Sequence, residues 1–337
     1  MAELIGKKYS RVELLKYCGN IDQIASVSES EITDGRGAGI RTFKVNTGGG
    51  LDFEVLPSRC LDISSLSYKG VNLSFLSKNG IVNGSDGFLN YVAGGMLFTC
   101  GLRNVGNPCE ENGEVHQLHG KIGTTPAKNA YAKCFWEEDE YHMEMGGTMA
   151  ETALFGHNLY LTRSIRTQLG KNEIAIHDSI ENLSDQPEDF MLLYHLNFGF
   201  PFIDENTKLI FPKNTLEPRT EIARSGMAES ERLSQPIDGF FEHVYFRDVE
   251  TDDGWVIVKL ENEELGIGAK IRYEKANLPI LTQWKSMKSG DYVLGIEPCN
   301  CTVEGRKVAK ERGSLKVIGA YGKVDVKLVL SFYDLFR

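Results

Sequence analysis

No stretch of this sequence approaches the ~20 consecutive apolar residues that a membrane-spanning helix needs. The longest candidate, Phe190 to Phe200, is about 11 residues long and has His195 and Asn197 inside it, so no membrane partner is expected. Basic runs are scarce as well. Lys and Arg total 37 against 47 Asp and Glu, a net charge of −10, and a chain with no positive stripe to follow a phosphate backbone is not expected to bind nucleic acid. The longest acidic run, Glu137 to Glu140, reads as a solvated turn between strands. Cysteines are few and odd in number, seven in 337 residues, and no basic and apolar leader opens the chain. A disulfide scaffold and secretion are therefore not expected, and the compartment is read as cytoplasmic. Nucleotide fingerprints are missing too: Gly35 to Gly39 and Gly101 to Gly106 are glycine-rich but lack the lysine of a P-loop and the strand-to-helix setting of a dinucleotide site. No Gly-x-Ser-x-Gly elbow offers a serine nucleophile.

What is present is an ordinary globular composition, 41% hydrophobic and 25% charged, on a chain long enough to bury roughly three quarters of its unfolded surface without metal or disulfide staples. One helix is predicted near 10–18: Ser10-Arg11-Val12-Glu13 fits a capping box, Val12, Leu14, Leu15 and Cys18 supply apolar positions, and Gly19 a stop. Thereafter the dominant period is two. Leu51 to Val55, Val71 to Phe75, Glu173 to Ile180, Trp255 to Leu260 and Val324 to Leu330 alternate as strands do. Turn clusters at Thr47 to Gly50, Asn83 to Gly87, Gly146-Gly147, Asn182 to Asp185 and Asp252 to Gly254 separate them, spaced for an antiparallel meander and not for helical crossovers. No linker or repeat divides the chain, so a single mainly-β domain over 1–337, built of two packed sheets, is expected, with 1–34 as a peripheral N-terminal segment.

Several polar residues do not belong in such a core. Phe190 to Pro201 reads as a central strand buried on both faces, yet His195 and Asn197, two apart, share one face while Tyr194, Leu196 and Phe198 share the other. A core histidine satisfied by a neighbour is the alternative. In Asp291 to Pro298, Glu297 ends an apolar stretch before a proline expected to stop the ladder, which would put a carboxylate at a strand end. If buried it would have the raised pKa of a general base; if exposed it is an ordinary surface residue. His116-x-x-His119 follows a donor-rich loop, Thr99 to Pro108, of the kind that carries function. Together with Cys299 and Cys301 it could form part of a metal site, but no Cys-x-x-Cys or His-Glu-x-x-His pattern completes it, and no metal is expected. Arg59 and Trp284 are a forked donor and an aromatic platform suited to polyols, with an ion pair to Asp62 and core packing as their respective alternatives.

Leu118-His119-Gly120, then Tyr194-His195-Leu196-Asn197, then Gly295-Ile296-Glu297-Pro298 resemble, in this order, the galactose mutarotase-like superfamily, the aldose 1-epimerases. Leu56 to Ile63, Phe98 to Pro108 and Leu281 to Trp284 are similar to a poorly characterised aldose-1-epimerase-like branch. The resemblance implies a large antiparallel β-supersandwich whose concave sheet binds a pyranose. It implies interconversion of anomers or epimers of a free or modified sugar with no cofactor. His195 then matches the acid that protonates the ring oxygen, Glu297 the base on the anomeric hydroxyl, and His119 a histidine that holds substrate. Arg59, Arg103 and Gln283 are carried by the branch pattern as substrate-binding residues, beside Asn197 and Trp284. Two alternatives stand: another carbohydrate reaction in the same cleft, such as isomerase, lyase or glycosidase chemistry, and a non-catalytic sugar-binding module. A glycosidase would need a second carboxylate, for which Asp62 and Glu304 are candidates. The expected partner is a small carbohydrate, and a homodimer is left open. His-Leu-Asn-Phe and the Cys299-Asn300-Cys301 that follows Glu-Pro depart from the best-known mutarotases, so the sugar is unassigned.

Overall fold

The computed structural model describes residues 1–4, 6–84, 87–111 and 113–336. Period-two alternation sets its architecture. In Asn158–Gln168, Leu159, Leu161 and Ile165 point inward, and in the neighbouring Glu173–Asn182, Ile176 and Ile180 lie opposite Ile165 and Leu161. Each such fully buried aliphatic side chain contributes ~1.5–3 kcal/mol relative to exposure. These strands belong to an antiparallel sheet of eight, which runs from Lys128–Glu137 at one edge to Thr207–Ile210 at the other. The acidic run expected as a turn is one: Glu138 and Asp139 join the first hairpin.

Facing it is the sheet that carries the candidate site, formed by β1 (Phe98–Leu102), β2 (Glu188–Gly199), β3 (Asn214–Pro218), β4 (His243–Val249), β5 (Ile280–Lys288), β6 (Asp291–Cys299) and β7 (Lys316–Ile318). Their order in space is β3-β4-β5-β6-β2-β7, and β1 also pairs with β2. The expected two sheets are joined by a third. Ser26–Glu31, Arg41–Asn46, Leu51–Leu56, Asp62–Tyr68 and Val71–Asn72 form a five-stranded meander. Alternation marks a strand but carries no signal of which sheet it joins, and this is why the third sheet escapes a sequence reading. Val71 to Phe75, expected as one strand, is divided between two sheets: after Asn72 the chain crosses over, with Ser74 bridging Phe198 and Phe75 N–H donating to Asn197 O at 3.0 Å. The turn expected at Asn83 to Gly87 includes residues 85 and 86, which lie outside the described residues.

The predicted capping box is present. Helix Arg11–Tyr17 starts at Ser10, whose Oγ accepts from Glu13 N–H at 3.3 Å while Glu13 accepts from Ser10 N–H at 2.8 Å. Leu14 is buried but Val12 and Leu15 are exposed, and the helix ends on an extended Cys18 with no glycine cap. The N-terminal segment is less peripheral than expected. Ala2, Leu14, Ile21 and Ala25 join the main core, and Ser26–Glu31 is a sheet strand.

Where the three sheets meet lies a buried ionic knot. Arg163 donates to both oxygens of Asp178 (2.9 and 2.6 Å), to Asp62 (2.8 Å), to Thr99 Oγ1 (2.9 Å) and to the Cys60 carbonyl (3.1 Å). Tyr194 on β2 donates to Asp178 at 2.7 Å. Among the described residues no helix is long and apolar enough to cross a membrane.

Candidate active site

The site is laid out by strand register. Leu196 pairs with Ile296 and Leu193 with Cys299, which sets His195 of β2 opposite Glu297 of β6. Phe98 of β1 pairs with His195, and Thr282 of β5 with Glu297. Opposed residues of antiparallel strands share a face, so Phe98, His195, Glu297 and Thr282 form one row across the sheet. Asn197, Gly295, Trp284 and Val244 form the next. His195 Nε2 lies 3.1 Å from Glu297 Oε1. Gly295 makes this approach possible, since a Cβ there would run into Glu297 Oε1 and crowd the His195 ring. Pro298 does not stop the strand as expected. It pairs with Leu281 of β5, and β6 runs on to Cys299. A proline lacks only its own N–H, and the interruption falls on the β2 side, where the ladder skips from Leu196–Ile296 to Leu193–Cys299.

Loops bring the remaining groups. His119 sits in the left-handed region (φ 60°) of a tight turn, pinned where its N–H donates to Gly106 O (3.0 Å) and its carbonyl accepts from Gly101 N–H (3.1 Å). The glycine-rich 101–106 loop thus cradles the histidine turn: a Cβ on Gly120 would strike the Gly101 and Asn104 carbonyls. The His119 ring lies 6.0 Å from His195 and 5.1 Å from Phe88, and His195 meets Trp284 edge-on at 5.3 Å. Residues 219–242 close one side with Arg219, Phe240, Phe241 and Glu242, the last accepting the Trp284 indole N–H at 2.7 Å. The enclosed cavity is about 750 Å³. Four buried polar atoms with no hydrogen-bond partner gather at it: His119 Nδ1, His195 Nδ1, Asn197 Oδ1 and Glu297 Oε1. Each such atom costs ~1–3 kcal/mol, and their convergence on one cavity suits a ligand rich in hydroxyls.

Electrostatics follow from burial. The His195 imidazole is held down to about 3, first by desolvation and then by the neighbouring His119. His119 is held down to about 4 by desolvation and by Arg219. Burial pushes the Glu297 carboxyl well up; the charge of Glu242 adds to this and Arg219 opposes it. Burial thus disfavours the charged form of both members of the pair, whose facing atoms lie 3.1 Å apart.

The profile of a domain family of unknown function, DUF4432, matches residues 37–332. The chain belongs to the DUF4432 family. No curated protein matches it. Among solved structures, the DUF4432 chain is similar to a provisionally named aldose 1-epimerase from Klebsiella pneumoniae, at 24% identity over 94% of this chain and 87% of that one, with a TM-score of 0.88. A galactose mutarotase-like protein from Clostridium acetobutylicum matches at 14% identity over 93% and 99%, TM-score 0.62. A galactose 1-epimerase from Lactobacillus acidophilus matches at 12% over 92% and 99%, TM-score 0.58. At these identities the likeness is one of fold, and the fold of the DUF4432 chain is the galactose mutarotase-like β-sandwich.

Of the residues singled out in the sequence, His119, His195, Asn197, Trp284 and Glu297 line this one cavity of the DUF4432 protein. Three others lie elsewhere. Arg59 lines a small adjoining space; its guanidinium donates to the carbonyls of Val82 and Gly84 and lies over Tyr91, so it holds a loop. Arg103 points into a different cavity, paired with Glu114 at 2.5 Å. Gln283 alternates to the far side of β5 from Trp284, fully buried, where it accepts from Arg247 and donates to Ser230 O. Neither proposed second carboxylate is available: Asp62 belongs to the Arg163 knot and Glu304 pairs with Arg312. His116 is buried with its Nε2 4.0 Å from Glu114, and Cys299 and Cys301 are buried thiols whose pKa burial raises. Among the described residues no cluster of three His, Cys, Asp or Glu could hold a metal ion. Arg219 and Glu242 were missed. They sit in a segment without periodicity, and only the register of β4 beside Trp284, with Val244 as its partner, could have pointed to Glu242.

Proposed function

We propose that this cleft interconverts the anomers of an aldose by acid–base ring opening. The observation that carries the proposal is the His195–Glu297 pair, 3.1 Å apart on adjacent strands at the floor of a cavity lined by both aromatic and charged side chains. Ring opening takes a proton from the anomeric hydroxyl and gives one to the ring oxygen, so a pair holding one proton suffices and ends each passage holding one. In the free cleft burial biases that proton toward Glu297. Opening with His195 as acid and Glu297 as base starts once the proton has crossed to the imidazole, and closing after rotation about C1–C2 reverses both transfers. Trp284 offers a flat face to the pyranose, while Asn197 Oδ1 and His119 Nδ1 are free to take its hydroxyls.

One observation favours a second reading. Glu242 shares the cavity with Glu297 and its charge raises the Glu297 carboxyl further, and glycoside hydrolysis uses two carboxyls in one cleft. NMR anomer exchange on a panel of reducing sugars, run beside the same sugars as glycosides, separates the two. Exchange without net product is expected, and cleavage of a glycoside would replace the epimerase reading.

A further inference from the structure

Three cations line the cleft, Lys78, Arg219 and Lys288, with three carboxyls, Glu242, Asp291 and Glu297. Their pairing is uneven. Lys78 and Lys288 both lean on Asp291, at 2.9 and 3.9 Å, and Glu242 takes the Trp284 indole N–H. Arg219 has no carboxylate at ion-pair distance among the described residues; its side chain makes one hydrogen bond, from Nη2 to Asn107 Oδ1 at 2.9 Å. The fully buried arginines Arg163, Arg247 and Arg306 each hold at least one carboxylate. The Arg219 backbone is held as well, its main-chain N–H donating to Val244 O at 2.9 Å directly after β3 ends. The residue lines the same cavity as His119, His195 and Glu297. Arg219 thus brings to the cleft a positive charge with no ion-pair partner among the described residues, in a chain of net charge −10. A guanidinium gains little from a sugar's hydroxyls and much from an anion, to which it forms short, charge-assisted bonds.

We propose that the sugar this cleft accepts carries an anionic group, a carboxylate or a phosphate ester, and that Arg219 holds that group and so determines specificity. This rests on the aldose reading above. The ring oxygen of a pyranose joins C1 to C5, so the substituent on C5, where uronates and 6-phosphates carry their charge, lies one ring bond from the proton-transfer site.

The test compares a neutral hexose, its uronate and its 6-phosphate, in the gluco, galacto and manno series, by NMR anomer exchange with wild type and Arg219→Gln. In at least one series an anionic member should exceed the neutral sugar in kcat/KM by ~10-fold or more, and in Arg219→Gln that ratio should fall to within about threefold of unity, mostly through KM. Arg219→Lys, which keeps the charge without the fork, should fall between. Which anion is preferred distinguishes carboxylate from phosphate. A neutral sugar turned over as well as both anions, or a preference unchanged in Arg219→Gln, overturns the proposal. Calorimetric binding of the methyl glycosides, which cannot open, separates this from failure of the functional reading. If no sugar exchanges yet a methyl uronoside or methyl glycoside 6-phosphate binds ~10-fold tighter than its neutral counterpart, and only when Arg219 is present, the anion site stands and the epimerase reading falls. Equal or absent binding of all three overturns the anion site as well.

Discussion

Glu297 and His195 can be tested singly because each has a substitute of nearly its own shape. Glu297→Gln keeps the hydrogen-bonding outline without the titration, and His195→Asn keeps a donor. Each should lower kcat by ~10²-fold or more while sugar affinity changes far less, since the lost interaction belongs to the transition state. A thermal melt establishes that the variants fold, and folded variants with full turnover would remove the pair from the chemistry. The pH profile is a second check. Below the His195 value, about 3, both groups are protonated; above the raised Glu297 value neither is, so the single-proton state spans the interval between. On that basis kcat/KM should stay level well below the ~6.5 at which an ordinary imidazole titrates, and fall on the alkaline side as Glu297 ionises. An acid limb near 6.5 would show that His195 is not held neutral by the fold. At this scale the sequence was legible where period two applies: His195 and Asn197 stand out on an otherwise apolar strand, and the same alternation puts Trp284 on the cleft face. It should also have put Gln283 on the opposite face of β5, where the structure has it. Arg219 and Glu242 gain their roles from long-range packing that no local pattern encodes.

At the scale of elements, the 219–242 wall is held from below. Lys285, itself buried, donates to Glu229 O at 2.7 Å and to Arg232 O; Gln283 donates to Ser230 O at 2.7 Å, and Tyr292 to Ser234 O at 2.7 Å. Arg247 adds a pair to Glu231 at 2.9 Å. Lys285→Met should fill the space but leave two carbonyls without their donor, at ~1–3 kcal/mol each if they stay buried. The melting temperature should fall, and KM should rise more than kcat falls, because the wall that carries Arg219 and Glu242 loosens while the His195–Glu297 floor does not. An equal loss in kcat and none in KM would mean that the wall has no part in binding. Strands and the capped helix were legible here from alternation and end signals. The wall was not, since its 24 residues are tied down by side chains reaching up from β4, β5 and β6.

Across the whole molecule, the Arg163 knot joins the eight-stranded sheet, the five-stranded sheet and the site sheet at one point. Asp178→Asn would replace one acceptor oxygen by a donor facing Arg163 or Tyr194 and remove a charge that balances a fully buried guanidinium. Stability should drop by ~3–5 kcal/mol, read as a lower urea midpoint; an unchanged midpoint would show that the knot contributes little. The mainly-β sandwich was legible from the chain, while the third sheet and the knot were not. In the sequence, an ion pair between Asp62 and Arg59, three residues away, is the alternative to a binding role for Arg59. The actual partner of Asp62 lies 101 residues on, a distance at which only the finished topology decides.

The opposed positions of His195 and Glu297 bear on how this scaffold can diversify. Neighbouring strands lie ~4.8 Å apart where they pair, and the pairs Leu196–Ile296 and Leu193–Cys299 bracket the two groups, so their span is set by the backbone lattice on either side and is insulated from insertions, deletions or drift in the rim. The rim at 75–79, 88–94, 106–107 and 219–242 is free to vary without retuning that span. New guests can therefore be admitted by rewriting loops alone, and transplanting one relative's rim onto another's strands should transfer selectivity while leaving intrinsic chemistry at the recipient framework's level.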